Sequence, residues 1–300
     1  MTAAPAPTLL SPRILIPFVI VTLIWGSTWI VIRDQLGSVP PSWSVTYRFT
    51  VAAIGMFALV LVRREPLLLR GRAWGYAALL GSLQFALNFN FVYRAEAFVT
   101  SGVVAVIFAL LIVPNTILSR LFLKTQLDPR FIIGSAIAIC GIVALLVHEA
   151  QAVRGEPVAV AIGFALTVSA VISVSMANVM QATRFARAQS PGTILAWAML
   201  FGALADAAFA AVTVGAPVID MRPGYLAGVA YLGIIGTVLT FPLYFSIIRK
   251  VGAGPAAWTS VLIPIVAMGF STVLEGYIWS PLSICGAVLA IAGLIVALRR

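Results

Sequence analysis

Charge is what this 300-residue chain has least of: 9% of its residues are Asp, Glu, Lys or Arg, against about 25% in an ordinary globular domain. With 62% hydrophobic side chains, the ionisable groups are too few to coat a soluble domain of this size, which excludes a cytosolic enzyme and a secreted module. There is one histidine, His148, at the end of an apolar stretch, and there are two cysteines, Cys140 and Cys285, each inside a long apolar run. That excludes a disulfide framework and a Cys/His metal centre. Neither CxxC, HExxH nor GxxxxGK[ST] occurs, so the sequence offers no redox pair, zinc hydrolase or ATP-driven pump. No catalytic constellation of paired carboxylates, Ser/Lys or clustered His stands out either. The expectation is a membrane protein that is not an enzyme and uses no cofactor.

What is abundant is hydrophobic run length. Ten apolar stretches fall at 14–32, 44–62, 74–93, 101–122, 131–147, 158–181, 193–214, 226–248, 254–274 and 282–298. Each is near the 20 or so residues that cross a bilayer as a helix. Proline, glycine and charge collect in the short links, and residues 1–12 read as disordered. Arg13 before an apolar run imitates a signal peptide, but no small-residue cleavage site follows it, so the run reads as the first helix. With the N-terminus in the cytoplasm, inside segments hold 14 Lys or Arg and outside loops hold 4, namely Arg33, Arg94, Arg154 and Arg222. The positive-inside rule then places both termini in the cytoplasm, in the inner membrane. The +10 net charge is distributed loop by loop, which argues for orientation and against a nucleic-acid surface.

The chain also repeats. A shift of 152 residues superimposes 74–146 on 226–298 without a gap, pairing Gly81 with Gly233, Phe89 with Phe241, Gly102 with Gly254, Pro129 with Pro281, Gly134 with Gly286 and Gly141 with Gly293. Paired glycines and a paired loop proline are harder to obtain from apolar composition than paired leucines. The expected fold is an all-α membrane protein with ten transmembrane helices as two inverted five-helix repeats. A short cytoplasmic segment (1–13), a first repeat (14–147), an external linker (148–157) and a second repeat (158–300) divide it. Five helices per repeat turn the halves opposite ways, a plan of secondary transporters whose site lies near the midplane.

Candidate residues are polar or aromatic side chains at that depth. Trp25 lies roughly 16 Å into helix one and Trp29 one turn beyond, as packing residues or as the wall of a cavity; Trp43, Trp74 and Trp279 read as interfacial belt. Gln84 and Asn88 share one face of helix three, and Thr237, Thr240 and Tyr244 share one face of helix eight. Such stripes serve either as hydrogen bonds between helices or as a cavity lining. Ser169 and Ser173 form a weaker pair, whereas Asn115 and Asn178 read as helix-end residues. Arg48, about 6 Å below the outer end of helix two, has three readings: snorkelling to headgroups, pairing with Asp206, or presenting charge to a substrate carboxylate. Asp206 is the candidate for such a pair or for proton coupling; Glu275 belongs to the outer surface. The small residues Gly134, Ala138, Gly141, Gly286, Ala290 and Gly293 read as close helix packing, and Pro17, Pro114, Pro242 and Pro264 as kinks.

Several runs are familiar. Leu23-Ile24-Trp25-Gly26-Ser27-Thr28-Trp29 resembles the first-helix signature of EamA-type members of the drug/metabolite transporter superfamily. Tyr47-Arg48-Phe49 resembles their second helix, and Val251-Gly252-Ala253 through Pro264 to Leu274-Glu275-Gly276, then Gly286 to Gly293, resembles the end of their second repeat. The sequence departs from the pattern at Lys124, where the family carries an acid, and at Pro114, two positions out of register with Pro264. The resemblance, which covers 14–298, implies a ten-helix carrier with a central cavity that exports small metabolites. Within the family it is similar to YddG-like exporters, which implies aromatic and other hydrophobic amino acids as substrates. A multidrug or organic-cation exporter is the alternative, and a channel a further one. The partners implied are a small molecule and membrane lipid; monomer and homodimer both stay open, as do proton antiport and uniport.

Overall fold

The computed structural model describes residues 11–99, 101–126, 128–152, 157–274 and 279–298, and among them every regular element is helical. The chain runs through α1 (Pro12–Gln35), α2 (Pro41–Val62), α3 (Ala73–Gly81), a π-helical stretch (Ser82–Leu87), α4 (Asn88–Ala95), α5 (Ser101–Ala109), α6 (Ile112–Leu123) and α7 (Pro129–Ala152). It continues through α8 (Pro157–Ala182), α9 (Arg184–Arg187), α10 (Pro191–Thr213), α11 (Pro223–Ala230), a second π-helical stretch (Tyr231–Leu239), α12 (Thr240–Val251), α13 (Ala253–Ala256), α14 (Trp258–Leu274) and α15 (Pro281–Leu298). The loop prolines explain many of the starts: α1, α2, α7, α8, α10, α11 and α15 all open on proline. At the first helical position its missing N–H would be unpaired anyway and its φ is already helical.

Among the described residues, seven helical stretches are long and apolar enough to cross a membrane: Pro12–Gln35, Pro41–Val62, Val104–Leu123, Val158–Ala182, Pro191–Thr213, Pro223–Val251 and Ala253–Phe270. The shorter apolar helices Pro129–Ala144 and Pro281–Ala297 accompany them. The expected stretch at 74–93 is helical, but Gln84, Asn88 and Asn90 dilute its apolar character. The helix of residue 12 starts two positions before the expected boundary; residues 1–10, Arg154, Glu275 and Gly276 lie outside the described residues.

Small residues set the helix spacing. In α7 and α15, a methyl group added at Gly134 would sit 2.5 Å from the Gly293 carbonyl oxygen, and one at Gly141 would sit 2.5 Å from that of Gly286. The two backbones therefore touch, as the paired glycines predict. Gly81 likewise leaves no room for a side chain against the Ala198 carbonyl of α10, nor does Gly26 against Val266 of α14. Along the outside, Leu121, Phe122, Val212, Val273 and Val288 are exposed, which costs little where the solvent is hydrocarbon. Cys140 and Cys285 are free and exposed on α7 and α15. Trp43 departs from its expected belt position: it is buried beside Tyr225 and Val229 and stacks on Tyr47 with ring centroids 5.9 Å apart.

Loop 63–70 is fastened to the start of α10. Glu65 accepts from Ser190 Oγ–H and from the Gly192 N–H (3.0 Å), and Trp197 Nε1–H donates to the Leu67 carbonyl at 2.8 Å. A carboxylate at a helix N-terminus meets both unpaired N–H groups and the positive end of the dipole.

Candidate functional site

A cavity of ≈ 90 Å³ lies among α1, α2, α4 and its preceding π-helical stretch, α5, α8, α12 and α14. Trp25, Trp29, Arg48, Gln84, Asn88 and Tyr244, all singled out from the sequence, line it. Thr237, Thr240, Ser173 and Asp206 do not. Three of these four hold the walls. Thr240 Oγ1 accepts the Trp25 Nε1–H at 2.9 Å, a donor shared with the Gly236 carbonyl at 3.1 Å. Thr237 Oγ1 accepts from Arg48 Nε at 3.3 Å and donates to the Leu232 carbonyl five residues back, a bond the π-helical turn creates. Ser173 Oγ–H reaches from α8 to the Leu83 carbonyl at 2.8 Å, inside the other π-helical stretch. Ser169 bonds only its own helix, at the Ala165 carbonyl.

Six aromatic residues, Trp25, Trp29, Phe89, Phe108, Phe241 and Tyr244, line the cavity, and Phe49 and Phe85 pack behind them. Trp25 meets Tyr244 edge-on at 4.9 Å and Phe241 at 5.3 Å. Phe241 continues to Phe85 at 5.0 Å, Phe85 to Phe49 at 5.0 Å, and Phe49 to Phe89 at 4.9 Å. Each tilted pair adds about 0.5–1.5 kcal/mol beyond burial. Trp29 meets Phe108 across the cavity at 6.2 Å. Over this surface sits the Arg48 guanidinium, 4.4 Å above the Phe89 ring and 5.4 Å from Phe49.

Arg48 is 2% exposed, so it does not snorkel to the headgroups. Nor does it pair with Asp206. The carboxyl of Asp206, itself 0% exposed, accepts from Asn90 Nδ2 at 2.5 Å on the far side of α4. The reason is azimuth: Asn88 and Asn90 are two residues apart, roughly 200° around a helix of 3.6 residues per turn, so one faces the cavity and the other faces α10. Among the described residues, Arg48 Nη1 has no hydrogen-bond partner, and the oxygens Gln84 Oε1, Asn88 Oδ1 and Asn178 Oδ1 have none either. Neither Asp nor Glu among the described residues lines the cavity. Buried polar groups left unpaired cost about 1–3 kcal/mol each; here four of them belong to residues that line one chamber.

Sequence reasoning missed Phe89, Phe108, Phe241, Asn178 and Ser260. Asn178, expected as a helix-end residue, is fully buried and donates from Nδ2 to the Tyr244 hydroxyl at 3.3 Å. The signal for the others lay in the repeat. Phe89 and Phe241, Val92 and Tyr244, Phe108 and Ser260, and Leu111 and Ile263 are four pairs related by the shift of 152, and all eight residues line the cavity.

Comparison with known proteins agrees with this architecture. The model of the EamA-like transporter family matches the chain twice, at residues 13–147 and 161–299. The chain belongs to the EamA-like transporter family. The "Uncharacterized inner membrane transporter YedA" of Escherichia coli strain K12 is 30% identical over 262 residues, 85% of this chain and 80% of that protein. The "Probable amino-acid metabolite efflux pump" of Salmonella typhimurium is 25% identical over 296 residues (92% and 91%), and "Protein PagO" of the same organism 25% over 260 residues (87% and 84%). A crystal structure shares the fold with a TM-score of 0.76 at 19% identity, over 94% of this chain and 95% of its own. This EamA-family protein is a multi-pass membrane transporter and not an enzyme.

Proposed function

We propose that this EamA-family transporter exports amino acids with aromatic or other hydrophobic side chains. One observation carries the reading: one chamber is lined by Arg48, whose Nη1 is unpaired among the described residues, by Gln84, Asn88 and Asn178, whose amide oxygens are likewise unpaired, and by aromatic rings. A carboxylate suits the guanidinium, whose N–H groups match its two oxygens; an ammonium suits the amide oxygens; an apolar side chain suits Trp25, Phe89 and Phe241. An α-amino acid carries all three groups on one carbon. The relative named as an amino-acid metabolite efflux pump fits this reading. The organic-cation alternative has less support, because Asp206 points away from the chamber toward Asn90.

The proposed architecture is ten membrane-crossing helices in two inverted repeats, 14–147 and 158–300, with both termini cytoplasmic in the inner membrane. Packing supports it. Gly134 meets Gly293 while Gly141 meets Gly286, so each contact maps onto the other when the repeats are exchanged. That is the reciprocity expected of a two-fold axis, and the four lining pairs support a cavity near that axis. Both π-helical stretches fall at equivalent places, since 82–87 shifted by 152 lies within Tyr231–Leu239. The cavity is smaller than a usual ligand pocket of about 300–1,000 Å³, so substrate binding requires the repeats to move apart. Rocking of the repeats around the cavity exposes it to one side and then the other.

The test is counterflow of radiolabelled phenylalanine in proteoliposomes, competed by amino acids, organic cations and sugars. Saturable exchange blocked by hydrophobic amino acids is the expected outcome. Exchange confined to cations, or conduction that neither saturates nor shows exchange, overturns it.

A further inference from the structure

A second, larger chamber of ≈ 670 Å³ opens at the end of the bundle where α6, α8, α9 and α13 meet residues 124–126 and Asp128. Its lining includes Lys124, Arg184 and Arg187, with Asp128 as the acid among them. Asp128 is occupied locally, its Oδ1 accepting from the Arg130 N–H at 2.8 Å, and no salt bridge joins the three cations to an acid among the described residues. Deeper in, Ser119 is 5% exposed and lines the chamber, and its Oγ has no partner. Three exposed cations at a membrane surface are ordinary. Three cations around a recess, with a buried hydroxyl that has no partner among the described residues on a lining residue of α6, form a site for an anionic group.

The chamber stands in line with the central cavity. On α8 the central cavity reaches Asn178 and the second chamber reaches Ala182, four residues apart, about 6 Å. On α6 and the segment before it the two reach Leu111 and Thr116, and in the second repeat Ser260 and Pro255. Between them lies a thin polar layer. Asn115 Nδ2 donates to the Ala253 carbonyl at 3.1 Å, and Asn178 Nδ2 to the Tyr244 hydroxyl.

We propose that this chamber is a carboxylate-collecting vestibule, in which Lys124, Arg184, Arg187 and Ser119 hold the acidic end of the substrate before the Asn115–Ala253 layer parts and Arg48 takes the carboxylate over. The inference rests on the proposed substrate class and adds where charge selection begins. The three cations outnumber Asp128, so the recess carries a net positive potential that orients a zwitterionic amino acid with its carboxylate inward. It also discriminates against cations before they reach the central cavity.

The experiment compares the wild type with the triple variant Lys124→Gln, Arg184→Gln, Arg187→Gln in proteoliposomes of uncharged lipid. All three side chains are exposed, so the variant keeps its packing; thermal unfolding checks this. At low salt KM for phenylalanine rises about tenfold with the maximal rate unchanged, and the gap closes near 1 M salt, where the screening length is about 3 Å. Ser119→Ala raises KM two- to threefold. An unchanged KM overturns the proposal. So does a difference that appears only when phosphatidylglycerol is added, which would assign the cations to lipid phosphate. If the wild type itself exchanges no phenylalanine, the substrate class fails separately. Benzoate binding to the purified protein in uncharged detergent then decides the chamber: at least fivefold weaker binding in the triple variant sustains it, and equal binding overturns it.

Discussion

Arg48 sits where a positive charge is expensive to keep, buried between α2 and the aromatic wall. Its Nε bond to Thr237 and the faces of Phe89 and Phe49 offset part of that cost, and Nη1 is left without a partner. Replacing a buried charge with an apolar side chain of similar volume is often neutral or stabilising. Arg48→Met is therefore expected to fold, with an unfolding temperature at or above that of the wild type. Its phenylalanine KM in counterflow should rise at least tenfold. Arg48→Lys should rescue little, because an ammonium has no planar fork for a carboxylate. Loss of folding in both variants would make Arg48 a packing residue. Depth and residue type made Arg48, Trp25, Gln84, Asn88 and Tyr244 legible in the sequence. The helix rotation that sends Asp206 to Asn90 instead of Arg48 was not, because a one-residue error in azimuth turns a side chain by about 100°.

Among the elements, the α7–α15 contact rests on glycines, and its failure mode is steric. Gly141→Leu puts branched carbons where the Gly286 carbonyl already stands; overpacking of this kind costs about 1–3 kcal/mol. The expected result is a lower unfolding temperature with phenylalanine KM unchanged in the protein that remains folded, since neither helix lines the central cavity. The link between loop 63–70 and α10 predicts a different loss. Glu65→Ala leaves the N–H of Gly192 and the hydroxyl of Ser190 without their shared acceptor. Caps of this kind are worth about 0.5–2 kcal/mol. Glu65→Gln, which keeps an acceptor but loses the charge, should recover roughly half of that in thermal unfolding. The glycine contact could be read from paired residues at a shift of 152, and helix starts could be read from prolines. The two π-helical stretches could not, because no residue type marks them; they depend on long-range partners such as Ser173, which satisfies the Leu83 carbonyl from another helix.

For the molecule as a whole, the decisive number is how many times the chain crosses the bilayer, because parity fixes where the C-terminus lies. Seven crossings, the helices that are apolar enough on composition alone, would put the two termini on opposite sides. Ten put them on the same side. Length favours ten. At 1.5 Å per residue, the 24 residues of α7 extend about 36 Å and the 18 residues of α15 about 27 Å, against a hydrocarbon core of about 30 Å. The helical run 73–95 is also long enough; its amides lower its mean hydropathy because they serve the cavity and Asp206 rather than lipid. A helix surrounded by other helices need not be apolar all round. The contact of α7 with α15 depends on parity too, since each ends a proposed repeat and the inverted arrangement makes them cross the membrane in opposite senses. Reporter fusions provide the check: a fluorescent protein that matures only in the cytoplasm and a phosphatase active only outside it, each joined to either end. Ten crossings require the same reporter to be active at both ends, and the charge distribution of the loops makes that reporter the fluorescent protein. Phosphatase activity at one end and fluorescence at the other would restore an odd count, and the inverted repeat would fall with it.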